Sequence, residues 1–302
     1  MEGWIAVTRT STLGTIPRKV TLNSKRYVVW RDHDNSVKMI PDACKHRGAS
    51  LSTGRVLKDG TIECPYHGWK YDETKFCRPW GDSTCFDNLQ NEFEKRDQDG
   101  LLWIRPRGLV GPDPPEVPHV RDPGFNTMWF ETTINQAAQL IIENGIDPSH
   151  ASWVHANPLG FGTYAESPTN VRHKGHTIEF DYVPNREALS TKLFGLSTTH
   201  NLHTFVLPYT TWSDVIVHGD KVLMTYVTLC PEEDLKTRMF VGFSQNFGIS
   251  SSFFVLMGKA IVEQDRFILE NLDPDFRHKG INGDHDDLIV SYRDAMFNLN
   301  FK

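Results

Sequence analysis

A chain of 302 residues can hold two modest domains, each large enough to bury its own core. With 39% hydrophobic and 23% charged residues and a formal charge of −6, it has the composition of an ordinary soluble globular protein. That balance excludes the basic signature of a nucleic-acid binder and gives no source of attraction to an anionic membrane.

Residues 1–105 read as short strands joined by turns. Met1 to Ser11 lacks a basic start followed by an apolar run, so no secretory signal is expected and the protein reads as cytoplasmic. Val20-Thr21-Leu22 runs through Asn23-Ser24-Lys25 into Tyr27-Val28-Val29-Trp30, a hairpin signal. Cys44-Lys45-His46 follows, then the turn signal Asp59-Gly60, then Thr61-Ile62-Glu63 and at once Cys64-Pro65-Tyr66-His67. Leu101 to Ile104 reads as a closing strand. Five cysteines do not make a disulfide framework in a chain this long. Cys77, Cys85 and Cys230 are therefore expected to be free core or surface thiols, which suits a reducing compartment.

Two loops that each offer one cysteine and one histidine provide the ligand set of a Rieske [2Fe-2S] centre, with thiolates on one iron and imidazoles on the other. Neutral imidazole in place of anionic thiolate leaves the cluster easier to reduce. The bland alternative is tetrahedral zinc, but a zinc finger pairs Cys with Cys and His with His. Gly48 and Gly68 lie within two residues of the histidines, where backbone must wrap closely. The pattern C-x-H…C-x-x-H of the Rieske family is matched in full by Cys44, His46, Cys64 and His67.

Residues 106–124 contain Pro106, Pro112, Pro114, Pro115, Pro118 and Pro123, a density that forbids regular structure and marks a linker. Residues 125–302 mix helix and strand. Asn135 to Ile146 has helical composition, Thr177 to Val183 alternates like a strand, and Val222 to Cys230 and Arg238 to Phe247 are rich in β-branched and aromatic residues. Ser251 to Leu272 reads as a long helix. Phe253 to Val262, the most apolar window, is interrupted by Lys259 and is too short to span a bilayer. The expected fold is α+β, an all-β cluster domain followed by an α+β domain.

At the end of the first predicted helix the chain reads Asp147-Pro148-Ser149-His150-Ala151-Ser152-Trp153-Val154-His155. Two imidazoles and one carboxylate on one face of Fe(II) leave positions open for substrate and O2. The alternative is a pair of surface loop histidines, but a reductant such as the cluster needs a site to reduce. In the long helix, Met257, Ile261, Ile268 and Leu272 share a face at 100° per residue, and Asp265 falls on it while Glu263 and Glu270 point away. A carboxylate on an apolar face is costly unless paired or bound to metal, so Asp265 is the expected third ligand.

Together these residues resemble the oxygenase component of the Rieske non-haem iron oxygenases. That family places a D-x-x-H-x-x-x-x-H segment after the cluster domain and an aspartate on a late helix. Glu143-Asn144-Gly145-Ile146-Asp147-Pro148-Ser149-His150 is most similar to the branch that includes pheophorbide a oxygenase. The resemblance implies a Rieske domain over residues 1–105 and a helix-grip catalytic domain over 125–302, with one [2Fe-2S] cluster and one Fe(II) per chain. It implies hydroxylation or demethylation of a small, largely apolar substrate with O2, and a ferredoxin or flavin reductase as electron donor. The chain is shorter than the large subunits of aromatic ring dioxygenases, so a homotrimeric monooxygenase or demethylase is expected. In such a trimer Asp147 would bridge a cluster histidine of one subunit and an iron-ligating histidine of its neighbour. Its simpler reading is a helix-terminal aspartate that forms a turn.

Phe194, Leu196, Phe205, Leu207, Trp212 and Phe240 are candidates for an apolar pocket, with ordinary core positions as the competing reading. Lys45 and Arg47 offer either a docking patch for an acidic ferredoxin or merely solvated charges. Rival functions are a Rieske-type electron-transfer protein without oxygenase activity and a zinc-stapled binding module. A respiratory Rieske protein is disfavoured, because neither loop holds the extra cysteine that would form its disulfide.

Overall fold

The computed structural model describes residues 3–79, 84–87, 92–147, 149–155, 168–182, 198–217, 221–246, 250–273, 276, 280–283 and 286–300. The chain divides into two compact units: Trp4–Pro114 with Pro231–Glu233, and Met1–Gly3 with Pro115–Cys230 and Asp234–Lys302.

The first unit is built of strands. β1 (Ile5–Arg9), β10 (Phe93–Gln98) and β11 (Leu101–Pro106) form one sheet in the order β1-β11-β10, and β2 (Arg18–Leu22), β3 (Lys25–Arg31) and β4 (Val37–Pro41) form a second. β5 (Arg55–Val56), β6 (Ile62–Glu63), β7 (Lys70–Tyr71), β8 (Lys75–Cys77) and β9 (Cys85–Asp87) follow one another in a third. The expected hairpin is β2–β3. Asn23 and Ser24 both have positive φ between the paired Leu22 and Lys25, the two-residue turn whose twist matches its strands. Val28, Trp30, Ile40, Leu51, Ile62 and Tyr71 bury a core in which Cys44 and Cys64 are embedded.

One expectation fails in this unit. Cys77 and Cys85 are joined by a disulfide rather than left as thiols, whereas Cys44, Cys64 and Cys230 are buried and outside any disulfide. The cause is register: β8 and β9 pair antiparallel with Cys77 directly opposite Cys85, their Cα atoms 4.1 Å apart. Sequence spacing alone does not reveal a cross-strand pair.

No helix or strand lies between Pro106 and Asn126, as the proline density predicts. Beyond it, β12 (Asn126–Ile134), β13 (Thr169–Lys174), β14 (Thr177–Tyr182), β15 (Thr198–Val206), β16 (Thr210–Val217), β17 (Lys221–Glu233) and β18 (Lys236–Gln245) form a seven-stranded antiparallel sheet in the order β12-β18-β17-β16-β15-β14-β13. The helices are α1 (Ala138–Ile146), α2 (Ala151–Val154), α3 (Ser251–Leu269) and α4 (Asp287–Asn300). Phe130, Ile178, Phe205, Val241 and Phe243 on the sheet pack with Ile141 and Ile142 of α1, Phe254, Val262 and Leu269 of α3, and Leu288 and Tyr292 of α4.

The buried stripe of α3 is displaced from the expected one. It runs through Phe254, Gly258, Val262, Asp265 and Leu269, while Ile268 and Leu272 are 39% and 41% exposed. Gly258 is the reason α3 can lie so close: a Cβ there would meet the Phe243 ring at 2.3 Å. Among the described residues no helix is long and apolar enough to cross a membrane.

Candidate metal centres

The first centre is made by two copies of one turn. In Cys44-Lys45-His46-Arg47-Gly48-Ala49 the Gly48 N–H donates to the Cys44 carbonyl at 2.8 Å, and the Cys44 N–H to the Ala49 carbonyl at 2.9 Å. In Cys64-Pro65-Tyr66-His67-Gly68-Trp69 the Gly68 N–H donates to Cys64 at 3.0 Å, and the Cys64 N–H to Trp69 at 2.7 Å. Gly48 and Gly68 share a φ of +71°, which a side chain resists. The histidines occupy the third and fourth places of their turns, so one scaffold presents them from different offsets.

The two thiols are buried and hydrogen-bond one another, and burial pushes the Cys64 thiol up. The imidazoles of His46 and His67 lie edge to face with centroids 4.5 Å apart, and Trp69 stacks on His46 at 5.1 Å. Tyr71, which sequence reasoning missed, accepts the Lys45 N–H at 2.9 Å, so its own proton is free for the Cys44 sulfur 3.1 Å away. Two thiols on one side and two imidazoles on the other fit the divided ligand set of a Rieske cluster. Among the described residues, the Cys/His set is not one of the groups whose ligand atoms lie within 4.8 Å of one another, as a single tetrahedral ion would require.

Such a group does exist in the second unit: His150, His155 and Asp265. α1 ends at Ile146, and Asp147 turns the chain. The Asp147 carboxylate accepts from the Ser149 N–H at 2.8 Å and the Ser149 hydroxyl at 2.6 Å, closing the turn foreseen for it. The Asp147 backbone carbonyl accepts from His150 Nδ1, which directs His150 Nε2 toward Asp265 Oδ1 at 3.6 Å. His155 follows α2, with Nδ1 on the Gln264 Oε1 at 2.8 Å and Nε2 3.3 Å from Asp265 Oδ1. Asn144 Nδ2 donates to the same oxygen at 3.2 Å.

Each imidazole therefore has one nitrogen held by an outer partner and the other aimed at a common point, the arrangement of metal-ligating histidines. Burial pulls the His155 pKa down, but Asp265 and Gln264 outweigh it and leave it raised. The donor set suits Fe(II) with open positions. Gln264 and Asn144 were not foreseen, and a polar residue beside a presumed ligand was the only available hint.

The three ligands open onto a cavity of about 330 Å³ between α1, α3 and the sheet. Its walls are mostly apolar, with Ile141, Met257, Ile261, Val241 and Phe243 among them. Of the expected pocket residues, Trp212 lines it. Phe205, Leu207 and Phe240 are buried but do not line it, and Phe194 and Leu196 lie outside the described residues. Lys45 and Arg47 are exposed beside His46.

Residues 3–88 match the Rieske [2Fe-2S] domain, and residues 134–299 match the vanillate O-demethylase oxygenase C-terminal domain. The chain is 24% identical over 259 residues to flavonoid 8-hydroxylase 2, chloroplastic, of Ocimum basilicum, covering 80% of this chain and 49% of that one. It thus spans about half the length of that relative. It is 23% identical over 313 residues to the oxygenase component of dicamba O-demethylase of Stenotrophomonas maltophilia, covering 90% and 87%. Pheophorbide a oxygenase, chloroplastic, of Oryza sativa subsp. japonica is 27% identical over 213 residues, covering 59% and 40%. The fold is similar to the crystal structure of dicamba monooxygenase bound to dicamba, with a TM-score of 0.84, 20% identity, and coverage of 100% and 98%.

Proposed function

The chain belongs to the Rieske non-haem iron oxygenases, and from that premise we propose that it hydroxylates or demethylates a small, largely apolar organic substrate with O2. The observation that carries this reading is the convergence of His150, His155 and Asp265 on one point at the wall of a mostly apolar cavity. In this reading Cys44 and Cys64 hold one iron of the [2Fe-2S] cluster and His46 and His67 the other, while His150, His155 and Asp265 hold the mononuclear iron. When bound, the mononuclear iron activates O2 with electrons delivered through the cluster.

The chain's own residues do the positioning. The Asp147 carbonyl and Gln264 hold Nδ1 of the two histidines, so that Nε2 of each is available. Asn144 orients the Asp265 carboxylate. The apolar walls exclude water and seat the substrate beside the three ligands. Asp147 stands next to this site with its carboxylate partly exposed, and we assign it the bridging role toward a neighbouring subunit's cluster. The proposal extends to a homotrimer and a cytoplasmic location. It takes a ferredoxin or flavin reductase as electron donor, docking where Lys45 and Arg47 flank His46. It takes 1–105 as the cluster domain, 106–124 as linker and 125–302 as catalytic domain.

The test is oxygen consumption and product formation by the purified protein with a reductase, a ferredoxin and a panel of methoxy-arenes and alkyl-arenes under ¹⁸O₂. The reading predicts label in a hydroxylated product, or formaldehyde from a methoxy group. Reversible reduction of the cluster with neither product across the panel would favour an electron carrier instead.

A further inference from the structure

Among the described residues, the sheet wall of the cavity carries a cluster of polar side chains. Strand registers set Tyr182 beside Asn201, His203 beside Ser213, and Ser213 beside Thr225. All five line the cavity shared with His150, His155 and Asp265. Alternate residues of a strand share a face, so Asn201 and His203 stand side by side on β15. A polar island of this kind is costly to bury unless something satisfies it. Asn201 is 1% exposed and its Oδ1 has no hydrogen-bond partner among the described residues, although Asn201 and Ser213 both reach the Tyr182 hydroxyl beside them.

His203 is committed as an acceptor. Thr211 donates its single hydroxyl proton to the Thr204 carbonyl at 3.0 Å, so toward His203 Nε2 it can only accept. The proton of His203 therefore sits on Nε2, and Nδ1 keeps a lone pair. The ring is stacked flat on Phe180 at 4.7 Å. Burial, with a smaller effect of His150, holds its pKa at about 3, so it stays neutral. No lysine or arginine lines the cavity among the described residues. A carboxylate placed against this island would meet an amide oxygen and a lone pair with no lysine or arginine beside it, whereas an O–H or N–H would meet two waiting acceptors.

We infer that Asn201 and His203 select a neutral, largely apolar substrate bearing an O–H or N–H donor, anchored at the sheet side of the cavity that His150, His155 and Asp265 border. This inference rests on the oxygenase reading for the identity of the cavity as a substrate site. The anchoring itself is a binding property and is read without turnover.

The test is equilibrium binding of three matched probes to the purified full-length protein with its metals: 2-naphthol, 2-methoxynaphthalene with the donor blocked, and 2-naphthoate. The expected result is 2-naphthol about tenfold or more tighter than either of the others. Asn201→Leu is expected to lower 2-naphthol to the level of 2-methoxynaphthalene, with a cooperative thermal transition showing that the fold is kept. Binding of 2-methoxynaphthalene or 2-naphthoate as tight as 2-naphthol overturns the inference. So does binding of none of the three, or an unchanged preference in Asn201→Leu. If the oxygenase reading alone fails, the preference for 2-naphthol persists without oxygen consumption. If this inference alone fails, turnover persists without the preference.

Discussion

Gln264 does for His155 what the Asp147 carbonyl does for His150: each takes the Nδ1 proton and leaves Nε2 for a metal. Outer partners of this kind change metal affinity by roughly 10- to 100-fold. Gln264→Leu is therefore expected to weaken mononuclear iron binding by about that factor and leave the cluster intact, as read by iron titration against the cluster's visible spectrum. Unchanged iron affinity would contradict the assignment. At the cluster, Tyr71 donates to the Cys44 sulfur, and such bonds favour the reduced form. Tyr71→Phe should lower the reduction potential in protein-film voltammetry. Asp32 provides a pH signature. Burial alone would raise its carboxyl, but hydrogen bonds with Asp34, Ser36 and Lys38 bring it down to about 2. The folded pKa is depressed, so the stabilisation is complete above about pH 4 and is lost as pH falls toward 2. The stability gap between the unmodified protein and Asp32→Asn should close over that window in denaturant titrations.

The residues legible in the sequence were those whose chemistry demands fixed types at short spacing, such as Cys44 and His46 or His150 and His155. Gln264 and Asn201 were not, because their roles arise from partners brought together by folding. Gln264 lies 109 residues from His155.

Among the elements, α3 and its glycine set the distance between Asp265 and the sheet. The methyl of Gly258→Ala would collide with Phe243 at 2.3 Å and approach Phe130 at 3.3 Å, and both rings belong to the packed core. Overpacking of this kind costs roughly 1–3 kcal/mol, and the mutation should lower the thermal midpoint accordingly. α4 braces α1 from the other side. Arg293 makes a two-pronged bond to Glu143, at 2.9 and 2.7 Å, one residue before the Asn144 that orients Asp265. Removing one member strands a buried charge, so Arg293→Leu should destabilise by about 3 kcal/mol or more in urea titration. A loss below about 0.5 kcal/mol would show the pair to be incidental.

α3 was legible because its apolar stripe is long, although Ile268 and Leu272 were placed on the wrong side of its boundary. α4 escaped notice because its deeply buried positions amount to little more than Leu288 and Tyr292. β15 escaped because Asn201 and His203 break the alternation of an inward strand face. The departure from a local rule coincides there with the cavity.

At the scale of the whole molecule, the order of an all-β unit before an α+β unit was legible from short strands and turns followed by a mixture of helix and strand patterns. The pairing of Cys77 with Cys85 was not, since strand register decides it. The chain combines a Cys/His pair set suited to a [2Fe-2S] cluster with a His/His/Asp set suited to one iron, and the account stands on both being filled. The most direct measurement is iron and acid-labile sulfide per chain on anaerobically purified protein, with EPR after dithionite reduction, in the unmodified chain and in Asp265→Ala. The prediction is about three irons and about two sulfides with a Rieske-type signal, falling to about two irons with the signal retained in Asp265→Ala. A protein without labile sulfide, or an Asp265→Ala variant that keeps its full iron, would contradict it.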